Sequence, residues 1–150
     1  MTFVVGKDSG GIPTVLADIL DHSVTGITLA DPDEPDMALV YVNAVFEEMT
    51  GYSQQEILGR NCRFLQGGDS DQPEIETLRR AVAAVESTTV TLRNYRKDGT
   101  LFYNRLSVTP LFNSRGRLIY YLGVQYDVTA QLEAEQENAR LRELLNAPSV

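Results

Sequence analysis

Two long runs of β-forming residues on either side of an Asp-Gly turn constrain the fold of this chain most strongly. Residues 88–95 and 101–108 are rich in β-branched, aromatic and aliphatic residues, and Asp98-Gly99 lies between them. Asp-Gly between two such runs is a strong short-range signal for a β-hairpin. A turn at 113–116 and a third run at 118–128 follow. The second half of the folded region is therefore expected to form an antiparallel sheet.

The first half is expected to open with another hairpin and then to become helical. Apolar residues at 27–29 and 38–42 predict two strands, and the connection at 31–36 contains two prolines that cannot continue a strand ladder. Helical patterns follow at 43–51, 53–59 and 72–85. Five strands with helices clustered between the second and the third predict an α+β fold with an antiparallel sheet.

Helix-capping residues support these assignments. Asn43 is a candidate N-cap of the first helix and Gly51 its stop, while Ser53 and Glu56 have the spacing of a capping box. Pro73 lies at the start of the third helix, where its missing N–H costs nothing. The three helices are therefore predicted with defined starts.

Composition narrows the class of protein. The 150 residues carry a formal charge of -8, 43% hydrophobic residues, one Cys and one His. This suits a single domain, excludes an internal disulfide or a zinc cluster, and argues against unaided binding to nucleic acid or to an anionic membrane. No apolar run approaches the ~18 residues of a membrane-spanning helix, and the N-terminus lacks a secretory signal. A cytoplasmic protein is the expectation.

The two ends differ in character from the central region. Residues 1–20 are expected to be a Gly-rich leader with a short helix near its end, residues 21–128 the core, and residues 129–150 a C-terminal helix. In that helix Ala134, Asn138, Leu141 and Leu145 follow the 4-3-4 spacing of a coiled-coil seam. Two possibilities are open at this point: the seam of a homodimer, or a helix that is either docked on its own sheet or frayed.

The single cysteine lies in an unusual context. Cys62 is bracketed by Arg60 and Arg63 just after a predicted helix. Nearby positive charge lowers the pKa of a thiol and makes it a better nucleophile, so a reactive thiol is one hypothesis. The alternative is an inert cysteine that acts as a small buried hydrophobic residue.

The run NCRFLQ at 61–66 resembles the signature of the light-oxygen-voltage (LOV) domains, which are flavin-binding blue-light receptors of the Per-Arnt-Sim (PAS) fold. Further matches occur in order along the chain, at YVN 41–43, TGY 50–52, NYRKDG 94–99, Asn104 and GVQ 123–125. The resemblance covers roughly residues 21 to 129. It implies a PAS-like five-stranded antiparallel sheet with helices on one face and helical extensions at both ends. It also implies a receptor that is not an enzyme.

The resemblance assigns a photochemical role to two residues. Blue light is expected to drive the sulfur of Cys62 to bond the flavin carbon C4a while the flavin N5 is protonated. Gln125 is expected to contact N5 and O4 and to reorient in the adduct. Because Gln125 precedes the C-terminal helix, its hydrogen bonds would relay the signal there.

Further residues are assigned to flavin binding by the same resemblance. Asn61 and Gln66 resemble the polar pocket residues, and Asn94 and Asn104 those that hydrogen-bond the ring edge. An amide suits this task because it offers both a donor and an acceptor. The apolar ring contacts are expected from Leu106 and Val108, beside Leu92.

The phosphate of the cofactor is expected to be held by Arg63 and Arg79, since guanidinium suits bidentate phosphate contacts. Some relatives carry further arginines where this chain has Ser70 and Ile75. With two arginines, looser retention and a faster return to the dark state are expected. No insertion between Phe64 and Pro73 could accommodate the adenosine of FAD, so FMN is the expected cofactor.

Two other functions stay open from the sequence. The same pocket could serve a flavin-based redox sensor, and the same fold could be a PAS-type interaction module without flavin. The chain carries no recognisable output region after Val128, so a short LOV protein is the expectation. Its partners would be a second copy and an unidentified downstream protein, with no direct nucleic acid and no membrane.

Overall fold

The computed structural model describes residues 19–146. The predicted leader and most of the predicted N-terminal helix therefore lie outside the described residues. Residues 19–21, where that helix was expected to end, are helical. Within the described part no helix has the length and apolar character needed to span a membrane.

Five antiparallel strands form one sheet with the spatial order β2-β1-β5-β4-β3. The strands are β1 (Gly26–Ala30), β2 (Leu39–Val42), β3 (Thr88–Tyr95), β4 (Leu101–Phe112) and β5 (Leu118–Asp127). The predicted fold class is thus confirmed, as are both hairpins. β4 extends beyond its predicted end at Val108, because its pairing with β5 continues as far as Phe112↔Leu118.

Three helices connect β2 to β3, as predicted: α1 (Ala44–Thr50), α2 (Gln54–Ile57) and α3 (Pro73–Ala83). Two short 3-10 turns, Pro35–Met37 and Cys62–Gln66, were not predicted as such. The Asn43 side chain caps α1 by accepting from the Phe46 amide, and it also accepts from the Ile27 amide at 2.9 Å. One amide thereby fixes α1 to β1.

The predicted capping box of α2 and the predicted stop of α1 are both present. Ser53 and Glu56 form both hydrogen bonds of the capping box of α2. Gly51 ends α1 with φ +77, a conformation that glycine adopts at little cost. Because these signals depend on neighbours in sequence, they could be read without the tertiary structure.

The apolar residues divide between the two faces of the sheet. On one face α3 packs Leu78 and Val82 against Leu92, Leu106 and Val108 of the strands. The opposite face carries a cluster formed by Ile27, Leu29, Tyr41, Ile119 and Tyr120, against which Leu20 packs. The functional cavity described below lies on the α3 face.

The C-terminal helix α4 (Thr129–Asn146) begins two residues after the end of β5. Val128 is buried, but every residue from 133 to 146 is exposed, including Leu145 at 84%. The alternative of a helix docked along its own sheet is therefore wrong for these residues. Leu141 and Leu145, two members of the predicted seam, are accessible to a partner.

Candidate functional site

A cavity of about 550 Å³ lies between the sheet, α3 and the Cys62–Gln66 turn. Its size falls in the range of small-molecule and cofactor sites. Every site residue expected from the sequence lines it: Asn61, Cys62, Arg63, Gln66, Arg79, Asn94, Asn104, Leu106, Val108 and Gln125. The fold thus brings residues from five separate segments to one place.

A chain of hydrogen-bonded side chains forms the polar wall of the cavity. The Gln125 amide nitrogen donates to the Thr28 hydroxyl oxygen at 3.0 Å. Asn104 Nδ2 donates to Gln125 Oε1 at 3.3 Å and to Asn94 Oδ1 at 3.0 Å. All four side chains are at most 5% exposed. Burial strengthens such a network and makes each unmet polar atom costly.

Strand register brings these amides together. Asn104 lies opposite Leu92, so Asn94, two residues further along β3, is its diagonal neighbour on the same face. Gln125 lies opposite Leu106, again two residues from Asn104. Because side chains alternate between the two faces of a strand, all three amides point toward α3.

One atom of this network has no partner. Asn104 Oδ1 is buried and makes no hydrogen bond. Leaving a buried acceptor unmet costs roughly 1–3 kcal/mol, so such atoms call for an explanation. A ligand that presents an N–H group to this edge of the cavity would satisfy it.

The other walls are apolar and face each other. Leu92, Leu106 and Val108 form the sheet side, and Leu78 and Val82 belong to the helix side. Apolar walls with a hydrogen-bonding edge suit a flat aromatic ligand with polar atoms along one side.

Cys62 begins the 3-10 turn that closes one side of the cavity. Asn61 is the N-cap of this turn, and its side chain accepts from the Arg63 amide at 3.0 Å. Gly67 ends the turn with φ +56, against the ring of Tyr95. The local sequence therefore determines both ends of the segment that presents the thiol.

Burial raises the pKa of the Cys62 thiol, although the charge of Arg63 acts in the opposite direction. The net shift of this pKa is therefore upward, against the hypothesis of a lowered thiol pKa, although Arg63 contributes in the expected direction. Arg60 stacks on the Phe64 ring at 4.2 Å, and the Arg63 guanidinium is hydrogen-bonded to Asp36. The thiol is protonated at neutral pH because desolvation penalises the thiolate more than the distant charges favour it.

Both predicted phosphate-binding arginines line the cavity, and each has a carboxylate partner. Arg63 pairs with Asp36, and Arg79 pairs with Glu76 at 2.8 Å. Their side chains are 57% and 70% exposed. Sequence reasoning missed Asp36, because it lies 27 positions from Arg63 and only the fold brings the two together.

Thr28 and Gly123 are among the further lining residues that were not predicted as site residues. They are register partners in β1 and β5. A Cβ at position 123 would lie 2.4 Å from Thr28 Oγ1 and 3.1 Å from Gln125 Nε2. A glycine inside a strand often marks such a close approach, which was the available signal.

Comparison with known proteins places this architecture in a defined class. The PAS domain family matches residues 24–130, more than half of the chain. A blue-light-activated histidine kinase 1 of Erythrobacter litoralis is 45% identical over 121 residues, which are 81% of this chain and 33% of the kinase. A blue-light photoreceptor of Listeria monocytogenes is 40% identical over 134 residues, 87% of this chain and 53% of that protein. The chain thus spans about a third to a half of these relatives.

Solved structures narrow the class further. The LOV domain of the Erythrobacter litoralis EL346 blue-light-activated histidine kinase has a TM-score of 0.68 and 41% identity, over 72% of this chain and 99% of that one. The light-state Aureochrome1 LOV structure has a TM-score of 0.67 and 38% identity, over 83% and 96%. The chain belongs to the LOV family of PAS domains.

Proposed function

We propose that this protein is a blue-light receptor that holds FMN in the cavity and whose Cys62 reacts reversibly with it. One observation carries the proposal: the protonated, half-buried thiol and the buried amide chain with its unmet acceptor line the same cavity. Relatives and solved neighbours named as blue-light receptors support it.

The donor set fits a flavin ring. Its pyrimidine edge has both acceptors and an N–H, and the amides of Asn94, Asn104 and Gln125 offer both kinds of group. The unmet Asn104 Oδ1 would accept from the ring N–H. Arg63 and Arg79 would hold the phosphate near the solvent side, where both are exposed.

When bound, a flavin would supply a light-absorbing ring able to take up the Cys62 sulfur at a ring carbon and the thiol proton at a ring nitrogen. The protein supplies a thiol that keeps its proton until light arrives, because burial raises its pKa. Cys62 itself begins the 3-10 turn capped by Asn61, and the turn restricts the positions that the sulfur can reach. The chain is proposed to act as a receptor without substrate turnover.

Gln125 connects the cavity to the C-terminal helix. It lies on β5, two residues before Asp127, whose carboxylate accepts from the Thr129 amide at 3.0 Å at the start of α4. Thr129 Oγ1 in turn accepts from the Tyr103 amide at 2.9 Å. A change in the Gln125 hydrogen bonds would therefore reach α4 through the last residues of β5, and we propose that a homodimer built on α4 reports it.

The test is an absorption spectrum of the purified chain in the dark, after a blue flash and after dark recovery. The native protein should lose and regain a structured band near ~450 nm, and Cys62→Ala should bind flavin without bleaching. Bound flavin that does not bleach in the native chain would favour a redox sensor. A chain that takes up no added FMN would refute the flavin proposal altogether and favour an interaction module.

A further inference from the structure

Asp36 occupies an unexpected position at the solvent side of the cavity. Its carboxylate accepts from the Arg63 guanidinium, and its backbone carbonyl accepts from Asn61 Nδ2 at 2.9 Å. Both donors flank Cys62 in sequence. The loop that carries Asp36 is therefore attached at two points to the turn that carries the thiol.

The backbone at Asp36 and Met37 is strained, and this strained conformation positions the Asp36 carboxylate. Asp36 has φ +57 and the following Met37 has φ +49. Non-glycine residues seldom adopt such values, and an unbranched apolar residue gains no local hydrogen bond from doing so. Strain of this kind persists where the surrounding contacts determine it, here the two bonds from the Cys62 turn.

The cavity is lined by equal numbers of acidic and basic side chains, two of each. They are Glu34, Asp36, Arg63 and Arg79. Arg79 is also paired with Glu76 on its own helix. A flavin phosphate would thus have to compete with carboxylates for both guanidinium groups, and it would lie close to like charges.

We propose that Asp36 is a specificity-determining residue that competes with the flavin phosphate for Arg63. This inference rests on the proposed flavin site and concerns which flavin it prefers. Specificity for FMN over riboflavin is the difference between the two binding affinities, and Asp36 reduces the contribution of the phosphate to FMN binding. The native pocket therefore discriminates weakly between FMN and riboflavin, which share the ring and differ in the phosphate.

The test compares the dissociation constants of riboflavin and FMN for the flavin-free full chain, measured by titration of flavin fluorescence. Asp36→Asn keeps the size of the side chain and the tolerance of Asn for positive φ while removing the charge. The preference for FMN over riboflavin should rise about fivefold, the upper end of what an exposed ion pair contributes. Riboflavin affinity should change less than about twofold, since riboflavin has no charge to compete.

A matched control comes from the same loop. Asp33 pairs with Arg117 at 2.8 Å, is also half-exposed, and does not line the cavity. Asp33→Asn should leave the preference unchanged. A second variant, Arg63→Gln, should lower the preference, and adding Asp36→Asn to it should have a smaller effect than in the native background.

The outcomes separate this inference from the proposed function. Binding of both flavins with an unchanged preference in Asp36→Asn would refute the role of Asp36 alone. An equal rise in Asp33→Asn would also refute it, because the effect would then be one of net charge. Failure of both flavins to bind any variant would refute the flavin site itself, and this inference with it.

Discussion

Gly123 is the residue at which the cavity network is most sensitive to a single added methyl group. Its Cβ, if present, would lie 2.4 Å from Thr28 Oγ1, closer than real Cβ contacts allow. Thr28 lies on the neighbouring strand and accepts the hydrogen bond from Gln125. Gly123→Ala must therefore push Thr28 and β1 away or break that bond.

The magnitude can be estimated from two contributions. Overpacking a well-packed interior costs about 1–3 kcal/mol, and loss of a buried hydrogen bond costs about 1–3 kcal/mol more when a partner is left unmet. Reduced entropy of the unfolded chain returns about 0.4–1 kcal/mol. We expect Gly123→Ala to lower the free energy of unfolding by about 2 kcal/mol, in the lower part of this range, because displacement of Thr28 and loss of its hydrogen bond are alternatives rather than additive costs.

Urea unfolding followed by circular dichroism measures this loss. With a slope of roughly 2 kcal/mol per molar urea, the midpoint should fall by about 1 M. Gly26→Ala is the control, because its Cβ would meet the flexible end of Met49 at 3.1 Å. We expect that variant to lose less than about 1 kcal/mol.

A double variant tests the stated cause. Thr28→Ala removes the obstructing oxygen, so Gly123→Ala should cost little in that background, and the two changes should be coupled by about 1–2 kcal/mol. Additive losses would refute the reasoning, because they would show that the close approach of position 123 to Thr28 is not what makes glycine necessary.

Three further outcomes are expected. Hydrogen bonds from Arg93 and Tyr95 hold the pKa of the Asp69 carboxyl at about 2, below its usual value. In acid unfolding curves, Asp69→Asn should therefore be less stable than the native protein above about pH 4, and the difference should vanish as the pH falls towards 2. Ser53→Ala should lower the free energy of unfolding by about 1 kcal/mol in thermal melts, since it removes the cap of α2; an unchanged midpoint would contradict this. Asn138→Leu should strengthen self-association several-fold in sedimentation experiments, and an unaltered mass distribution would count against the α4 seam.

The hairpins and helix starts could be predicted because their signals are local. Asp98-Gly99, the Ser53 and Glu56 pair and Gly51 each act through residues a few positions away. Period-two alternation then placed Asn94 and Asn104 on one face of their strands. The length of β4 was underestimated, because the pairing that extends it comes from β5.

The resemblance to the LOV family identified the residues of the candidate site. The sheet determines that those on its strands face the cavity. All the expected residues line the cavity, but no pattern in the chain indicated that Thr28 would support Gln125. That contact joins residues 97 positions apart. It exists because β5 lies between β1 and β4 in the sheet, an order that depends on the whole topology.

The pKa of Cys62 shows most clearly the difference between what the local sequence determines and what the fold determines. The sequence determined that arginines flank Cys62, and from charge alone a lowered thiol pKa would follow. The tertiary structure reversed that direction by burying the thiol, because desolvation outweighs the charge of Arg63. Local charge can be read along a chain, but desolvation depends on every segment that closes around a group, and only the folded structure decides it.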